Sequence, residues 1–316
     1  MSAAESRARL PATSEGSREG AFRPFDWVLL ATAAGIWGSS FFFIAVGLDH
    51  FEPGVVTFGR IGFGALALWS VPATRRVRVQ HEDRFRVALL GICWMAVPLS
   101  MYSLAEQWID SSLAGMLTAA VPIWTALVAT ILLRRLPGRA LAVGLLVGFG
   151  GVLVLSWPSV RNADASALGV LLVILATASY GVAGNLAVPL QQRYGALPVL
   201  ARAQLVALVL VLPYAVVGAP SSSFSAGSLA AVVALGALGT GLAFVAGATL
   251  MGRVGATRGS VLAYVMPVVA IALGVTFRDD SFDAYGAVGI VLVLAGAYLA
   301  SRAEHRPIAL TEQVGD

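Results

Sequence analysis

Long apolar segments separated by short polar stretches recur along this chain. Ten of them are each close to the roughly 20 residues that a helix needs to cross the hydrocarbon core of a bilayer. In lipid only a helix satisfies the backbone hydrogen bonds of a single segment, so each segment is predicted to be a helix. The predicted helices cover residues 27–47, 54–73, 87–106, 113–133, 139–157, 168–189, 197–217, 228–250, 259–277 and 284–302.

The apolar pattern occurs twice at one fixed shift. Pro122 and Pro267 each follow an apolar stretch with small residues, and they lie 145 positions apart. Other pairs agree at the same shift: Leu90 with Leu235, Gly91 with Gly236, Leu117 with Leu262, Gly144 with Gly289, Gly151 with Gly296, and Ser156 with Ser301. One shift over this length indicates duplication of a unit nearly half the chain long. Each proline removes a backbone donor, so we predict helix kinks at both, a pattern typical of transporter binding sites.

The composition places these helices in a membrane. The chain has 316 residues, of which 58% are apolar and 12% are charged, and its mean hydropathy is +0.82. A soluble protein of this size needs far more charge to cover its surface, so the predicted fold class is an all-α integral membrane protein. The net charge of +4 sits in short loops between the apolar segments, which favours a topological role over nucleic-acid binding.

The arginines are divided unequally between the two sides of the predicted membrane. With ten spans, Arg161 and Arg278 fall on one side, Arg60 and Arg202 fall within spans, and all the others fall on the second side. Cytoplasmic loops carry the excess of basic residues. The sequence therefore predicts ten transmembrane helices with both termini in the cytoplasm of a bacterial cell, whose plasma membrane holds the protein.

The predicted domains follow from this topology. Residues 1–25 are polar and lack apolar periodicity, so they are predicted to form a disordered cytoplasmic tail, and residues 303–316 form a second cytoplasmic tail. The repeats at 26–157 and 168–302 each contain five spans. Because five is odd, the second repeat is predicted to be inverted relative to the first, as in many secondary transporters.

Several motifs resemble those of a known family. They are the run Gly35-Ile-Trp-Gly-Ser-Ser-Phe-Phe-Phe-Ile44, Arg60 followed by Gly62 and Gly64, the run Ser111-Ser-Leu-Ala-Gly-Met-Leu117 with Pro122, Gly148-Phe-Gly-Gly151, and Leu294-Ala-Gly296. In this order they resemble the EamA domain of the drug/metabolite transporter superfamily, over about residues 26–302. The resemblance implies a ten-helix inverted-repeat exporter of amino acids, other metabolites or drugs.

Two charged residues are the first candidates for chemistry. Arg60 is predicted to lie inside the membrane, where an arginine is costly unless it faces a cavity or a partner. It either pairs with Glu106 or meets a substrate carboxylate; the alternative is a structural arginine that snorkels to the headgroups. Glu106 ends the third predicted helix and is the candidate proton-coupling residue, with a wetted position at the interface as the alternative.

Further polar and aromatic residues lie within predicted spans. A cavity for small amphiphiles needs aromatic walls and a few oriented hydrogen-bonding groups. The predicted substrate-binding residues are therefore, besides Arg60, Trp37, Tyr102, Tyr180, Asn185, Gln204 and Tyr264. The alternative for each of them is a role in helix packing through modest interhelical hydrogen bonds.

Catalytic motifs are missing from the sequence. It contains neither a GxxxxGK[ST] loop nor an HExxH motif, and the predicted spans hold no pair of carboxylates. We therefore predict no catalytic residues, no metal and no cofactor. The favoured function is a secondary transporter, either monomeric or homodimeric, whose partners are a small-molecule substrate, the lipid bilayer and a proton as the candidate coupling ion. The alternatives are a membrane-embedded enzyme or lipid-handling subunit, and a channel.

Overall fold

The computed structural model describes residues 13, 15–18, 20–134, 136–162, 166–277 and 284–302. Every regular element in these ranges is helical, which confirms the all-α prediction for the described part of the chain. Arg278, residues 1–12 of the predicted N-terminal tail and the predicted C-terminal tail lie outside the described residues, as does the side chain of Arg161.

Eight α-helices lie in the described residues of the first half of the chain. They are α1 (Pro24–Leu48), α2 (Pro53–Ser70), α3 (Ala73–Arg76), α4 (Arg84–Gly91), α5 (Val97–Ala105), α6 (Ser111–Leu117), α7 (Val121–Leu133) and α8 (Arg139–Asn162). A π-helical turn, Ile92–Ala96, joins α4 to α5, and a 3₁₀ turn, Thr118–Ala120, joins α6 to α7. These junctions make α4–α5 and α6–α7 two interrupted helices.

The second half of the chain contains seven described α-helices. They are α9 (Ala167–Tyr194), α10 (Ala196–Gly218), α11 (Ala226–Ala234), α12 (Ala243–Val254), α13 (Ala256–Ser260), α14 (Leu262–Phe277) and α15 (Ala284–Ser301). A second π-helical segment, Leu235–Leu242, joins α11 to α12. The interrupted helices α11–α12 and α13–α14 therefore occupy the same places in this half as α4–α5 and α6–α7 do in the first.

Seven helical segments in the described residues are long and apolar enough to cross a membrane. They are Pro24–Leu48, His81–Ala105, Leu113–Leu133, Ala167–Tyr194, Ala196–Ser221, Ala226–Val254 and Ala284–Ser301. Shorter apolar stretches occur at Arg139–Val154 and Ala256–Val269. The chain is thus a multi-pass membrane protein, and the count of ten spans stays a prediction.

The helix interruptions have identifiable causes in the first half. Pro98 is one of the first two residues of α5, directly after the first π-helical turn. A proline ring clashes with the carbonyl four residues earlier, and a π-helical turn relieves that clash by lengthening the local hydrogen-bonded loop. Pro122 stands in the same way at the start of α7, directly after the 3₁₀ turn. In the second half, Pro267 lies inside α14, and the break between α13 and α14 is at Val261, six positions earlier.

Equivalent helices of the two halves make equivalent contacts with the opposite half. The first helix of the first half, α1, packs against α14 and α12, and the first helix of the second half, α9, packs against α7 and α5. Likewise α2 packs against the second π-helical segment, while α10 packs against α4 and the first π-helical turn. The pairs α2–α10 and α8–α15 join each helix to its counterpart in the other half.

The side of the molecule where α1 begins is held together by buried acids and is called the tail face here. Asp26, at the start of α1, is 1% exposed and forms an ion pair with Arg253 near the end of α12. Asp83, just before α4, accepts hydrogen bonds from Arg193 and from the hydroxyl of Tyr194 (2.7 Å) at the end of α9. On the opposite face the corresponding helix ends are joined by neutral hydrogen bonds, such as that from the Ser228 hydroxyl to the Val46 carbonyl oxygen (2.8 Å).

Part of the N-terminal tail is bound to the tail face. The backbone N–H groups of Ser17 and Arg18 donate to carbonyl oxygens at the end of α12, and Phe22 N–H donates to Ser301 at the end of α15. Ser17, Arg18 and Phe22 therefore contact the ends of these helices. The reason is that helix C-termini leave carbonyl oxygens without intrahelical partners, and an extended chain can occupy them.

Candidate functional site

A cavity lies among the interrupted helices, α1, α2 and α9. The cavity and its open mouth together contain about 640 Å³ of space unoccupied by protein atoms. Its aromatic lining residues are Trp37, Phe41, Trp94, Tyr102, Tyr180 and Phe244, and its polar ones are Ser40, Arg60, Thr118 and Ser260. Both halves of the chain contribute, so the cavity is shared between them.

The aromatic lining forms two connected groups of rings. Phe244 lies edge-on to Trp37 and to Trp94, with ring centroids 5.1 and 5.4 Å apart. Tyr102 stacks on Tyr180 with centroids 5.9 Å apart, and the ring of Phe41 lies edge-on to Tyr102. Such walls offer flat apolar surface at fixed orientation, which suits the apolar part of a small organic molecule.

Arg60 supplies the positive charge of the cavity. It lies on α2, is 3% exposed, and its Nε–H donates to the Thr240 hydroxyl oxygen at 3.2 Å. Its Nη1 and Nη2 groups form no hydrogen bond to the described residues, and no described carboxylate lies within 4 Å of it. A buried guanidinium without a counter-ion is expensive, so this end of the cavity favours an anionic group.

Glu106 is the carboxylate that the sequence offered as a partner for Arg60. It follows directly after α5, and neither of its carboxylate oxygens, although buried, has a hydrogen-bond partner in the described residues. The two side chains are within electrostatic range, yet they do not form an ion pair. Glu106 is also not among the lining residues of the cavity. The structure therefore shows no ion pair between Arg60 and Glu106, and the Nη groups of Arg60 are left open to a ligand.

Three other predicted residues meet Arg60 around the cavity. The Trp37 indole N–H donates to the Gly239 carbonyl oxygen at 2.8 Å, which fixes the ring against the second π-helical segment. The Tyr102 hydroxyl is 2.7 Å from the Thr118 hydroxyl. The Tyr180 hydroxyl has no hydrogen-bond partner in the described residues and remains available to a ligand.

The remaining predicted binding residues lie away from the cavity lining. Asn185 donates to the Thr125 carbonyl oxygen at 3.0 Å, and Gln204 donates to the Thr240 carbonyl oxygen at 2.6 Å. The hydroxyl of Tyr264, which is fully buried, donates to a carbonyl oxygen of α8 at 2.9 Å. Each of the three connects neighbouring helices, as the packing alternative expects.

The two repeated prolines lie at the edge of the cavity. Val121 and Met266, the residues immediately before Pro122 and Pro267, both line it. Val121 and Met266 are related by the same 145-residue shift, and so are the lining residues Thr118 and Ala263. The repeat therefore held a signal for lining residues that sequence reasoning missed.

Other lining residues carried no such signal. Phe41, Trp94 and Phe244 are apolar residues inside apolar segments, where most aromatic side chains face lipid or neighbouring helices. In the described residues no group of three or more His, Cys, Asp or Glu side chains could hold a metal ion. The lining residues of the cavity offer a charge, hydrogen-bonding groups and aromatic surface.

The chain is similar to a known family of transporters over both of its halves. The EamA-like transporter family matches residues 26–157 and again residues 167–302. A relative from Archaeoglobus fulgidus named "Uncharacterized transporter" is 25% identical over 280 residues, 87% of this chain and 98% of that protein. The "Uncharacterized inner membrane transporter YedA" of Escherichia coli is 27% identical over 84% of this chain and 89% of its own.

One relative has a more specific name, and one solved structure shares the fold. The "Probable terminal-alkyne amino-acid exporter" of Streptantibioticus cattleyicolor is 26% identical over 87% of this chain and 93% of its own length. A crystal structure 20% identical in sequence matches with a TM-score of 0.74, covering 91% of this chain and 96% of that chain. At this identity the structural likeness extends to the fold alone.

Proposed function

The chain belongs to the EamA-like transporter family, as its motifs predicted, and on that basis we propose that it exports small organic carboxylates by alternating access. The family and the names of the relatives point to transporters, not to enzymes. The substrate, the direction and the mechanism are the proposal. Substrates are expected to be amino acids or amphiphilic drug-like acids, with the cavity around Arg60 as their binding site.

The observation that carries the proposal is the unpaired end of the Arg60 guanidinium. Two Nη groups in a fixed planar fork match the two oxygens of a carboxylate, and charge-assisted bonds of this kind are about twice as strong as neutral ones. Tyr180 can donate a further hydrogen bond, and the rings of Trp37 and Phe244 accommodate an apolar group. An acid with an apolar or aromatic side group satisfies all of these features at once.

The topology that we propose has ten spans in two inverted repeats, 26–157 and 168–302, with both termini cytoplasmic. Three observations support it. The family model matches each half, equivalent helices of the two halves make equivalent contacts, and the arginine-rich loops lie on the tail face. In such proteins the two repeats rock about a central site and expose it to each side in turn. Labelling of single cysteines placed near each terminus tests the orientation, and termini on opposite sides of the bilayer would refute it.

The proposed substrate class is tested by measuring transport into proteoliposomes. The compounds are used in pairs, in which one member has a carboxylate where the other has a carboxamide. Loss of one charge-assisted bond corresponds to about 1.5–3 kcal/mol, or roughly 10- to 150-fold, and this is the least that loss of the fork should cost. We expect Arg60→Gln to lower transport efficiency for the acids by this factor and to leave that of the amides nearly unchanged. Arg60→Lys keeps the charge without the fork and should fall between.

Arg202→Gln is the matched control for the Arg60 variants. Arg202 also lies in an apolar helix, but its guanidinium donates to the carbonyl oxygens of Pro198 and Val77 at 2.8 and 2.9 Å and lies over the ring of Trp69. Its loss should reduce stability without changing the preference for acids. Equal acid-to-amide ratios in the native protein and in a well-folded Arg60→Gln variant would refute the proposal.

Glu106 is proposed as the proton-coupling residue. Its buried oxygens have no hydrogen-bond partner in the described residues and lie within electrostatic range of Arg60, so a proton taken up there changes the charge near the substrate. The glutamine side chain of Glu106→Gln cannot take up or release this proton. We expect the variant to lose the dependence of transport on an imposed pH gradient while it retains counterflow of labelled against unlabelled substrate. A gradient dependence equal to that of the native protein would exclude Glu106 from coupling.

A further inference from the structure

The second π-helical segment, Leu235–Leu242, receives side chains from three different helices. Trp37 of α1 donates to a backbone carbonyl oxygen of this segment, and so does Gln204 of α10. Arg60 of α2 instead donates to a side chain, the hydroxyl of Thr240. Of these three contacts, only the one at the Thr240 hydroxyl involves Arg60, the charged residue of the cavity.

The Thr240 hydroxyl is itself held in place. Thr240 is fully buried, and its hydroxyl lies 3.4 Å from the Leu235 carbonyl oxygen, to which it can donate. A lone pair then faces the Nε–H of Arg60. The backbones of α2 and the π-helical segment approach closely here, because a Cβ atom at Gly64 would lie 2.9 Å from the Cβ of Thr240. The short distance between the helices is what lets the hydroxyl reach Nε.

We propose that Thr240 is a positioning residue that sets the specificity of Arg60 for carboxylates. A guanidinium held at Nε keeps its plane fixed and presents Nη1 and Nη2 together. Without that bond the group turns about its terminal torsions, and only one Nη is in place at a time. The inference rests on the proposed binding of a substrate carboxylate at Arg60.

The test compares Thr240→Val, which keeps the shape and removes the hydroxyl, with Thr240→Ser, which restores it. The readout is the ratio of transport efficiencies for an acid and its amide. We expect Thr240→Val to lower this ratio about tenfold while amide transport continues, and Thr240→Ser to recover it. A residue needed only for packing would change both compounds alike.

Two results separate this inference from the proposed function. If Thr240→Val transports the amide normally and keeps the native ratio, Thr240 does not position Arg60 and the inference is overturned. If Arg60→Gln also keeps the native ratio, the proposed carboxylate site itself is absent. If Arg60→Gln loses the ratio and Thr240→Val keeps it, the proposed function stands and only the positioning role is lost.

A separate observation concerns the N-terminal segment of residues 15–18 and 20–22, called the N-terminal strap here. Besides its backbone bonds to the ends of α12 and α15, side chains from two other places hold it. Gln192 at the end of α9 donates to the Glu15 carbonyl oxygen, and Arg258 on α13 donates to the Gly20 carbonyl oxygen, both at 2.8 Å. The strap therefore joins four helices of the second half to the start of α1.

The strap crosses the tail-face boundary of the cavity. Met251 and Ser260 line the cavity, and between them in sequence lie Gly252 and Gly255, over which the strap runs. Gln192 donates both to the strap and to the Gly252 carbonyl oxygen (2.9 Å), so the seam between α9 and α12 is closed at the same place. An opening of the cavity toward the tail face along this seam must break these bonds.

We infer that the N-terminal strap is a latch that slows opening of the cavity toward the tail face. The inference rests on alternating access and not on the identity of the substrate. Gly16 offers a way to release the latch, because a Cβ at this position would overlap backbone atoms of Arg253, Val254 and Gly255. Ser17→Ala is the matched control, since the Ser17 side chain is exposed and only its backbone N–H binds the helix.

The latch is tested by thiol labelling of Ser260→Cys in a Cys93→Ser background, with a membrane-impermeant maleimide applied from the tail face. We expect Gly16→Val and deletion of residues 1–22 to raise the labelling rate several-fold over Ser17→Ala and deletion of residues 1–13. Unchanged rates in both released forms would overturn the latch. Labelling needs no substrate, so a response without carboxylate transport would refute the proposed substrate and leave the latch in place.

Discussion

The contact between α8 and α15 allows a test in which two adjacent glycines respond differently. A Cβ atom at Gly151 would lie 2.6 Å from the Val293 backbone nitrogen, 2.8 Å from the Leu292 Cβ and 3.0 Å from the Gly289 carbonyl oxygen. A Cβ atom at Gly150, one residue earlier on the same helix, would meet nothing within 4 Å. Replacement by alanine therefore perturbs the helix contact at one position only.

The expected magnitudes follow from these distances. Two of the three atoms near Gly151 belong to the backbone of α15, and the third is the Cβ of Leu292, which is attached directly to it. The helices must therefore separate, and overpacking of this kind costs about 1–3 kcal/mol. The unfolded state of a membrane protein retains its helices, so alanine gains little from helix propensity, and Gly150→Ala should change the free energy of unfolding by less than about 0.5 kcal/mol. The difference between the two variants is the predicted quantity.

The assay is equilibrium unfolding in detergent micelles or bicelles, with the two variants measured beside the native protein. Gly151→Ala should unfold more easily, and Gly150→Ala should match the native protein. Equal destabilisation by both variants, or a larger effect of Gly150→Ala, would show that α8 and α15 do not meet along the face that contains Gly151.

Three further predictions concern hydrogen bonds between helices. Tyr264→Phe removes the donor to the Leu145 carbonyl oxygen and should cost about 1 kcal/mol of unfolding free energy without changing transport; a folded variant without transport would instead place Tyr264 at the substrate. Asp83→Asn removes the charge that joins α4 to α9 and should cost about 1.5–3 kcal/mol, whereas the exposed Glu82→Gln should be neutral; equal unfolding curves would refute this. Ser179→Ala removes a 2.7 Å hydrogen bond to the first π-helical turn and should cost about 1 kcal/mol in the same assay, so an unchanged curve would count against that bond.

The helices themselves follow closely from the apolar pattern, and their two π-helical interruptions do not. The segment predicted at 27–47 is α1 from Pro24 to Leu48, where Asp26 accepts from the Arg23 N–H at 2.9 Å and closes the first turn. The segments predicted at 87–106 and 228–250 both contain π-helical turns. Hydropathy cannot reveal these turns, because one inserted residue changes neither the length nor the apolar character of a segment. The helix predicted at 168–189 continues to Tyr194 through Pro189, since a membrane helix tolerates a proline when neighbouring groups satisfy the freed carbonyl.

Four predicted binding residues meet at the cavity, and three others do not, for a common reason. A polar side chain in an apolar helix must find a partner, and the sequence indicates this need without indicating the partner. For Asn185, Gln204 and Tyr264 the partner is a backbone carbonyl oxygen of an adjacent helix. Such acceptors leave no mark in the sequence, because every residue has one. Arg60 differs because a single hydrogen bond leaves most of its donors unused.

The two π-helical segments explain how a polar site can exist inside an apolar bundle. A π-helical turn frees backbone carbonyl oxygens from the regular α-helical pattern, and in lipid these must be satisfied from elsewhere. In this protein the first helix of each half supplies the donor to the other half: Trp37 binds Gly239, and Ser179 binds Cys93. Each half is therefore completed by the opposite one, and the cavity forms where these exchanges take place. Any movement of one half against the other must strain the same bonds that orient Trp37 and, through Thr240, Arg60. In the alternating-access mechanism that we propose, binding at the cavity and movement of the halves are therefore coupled through these hydrogen bonds.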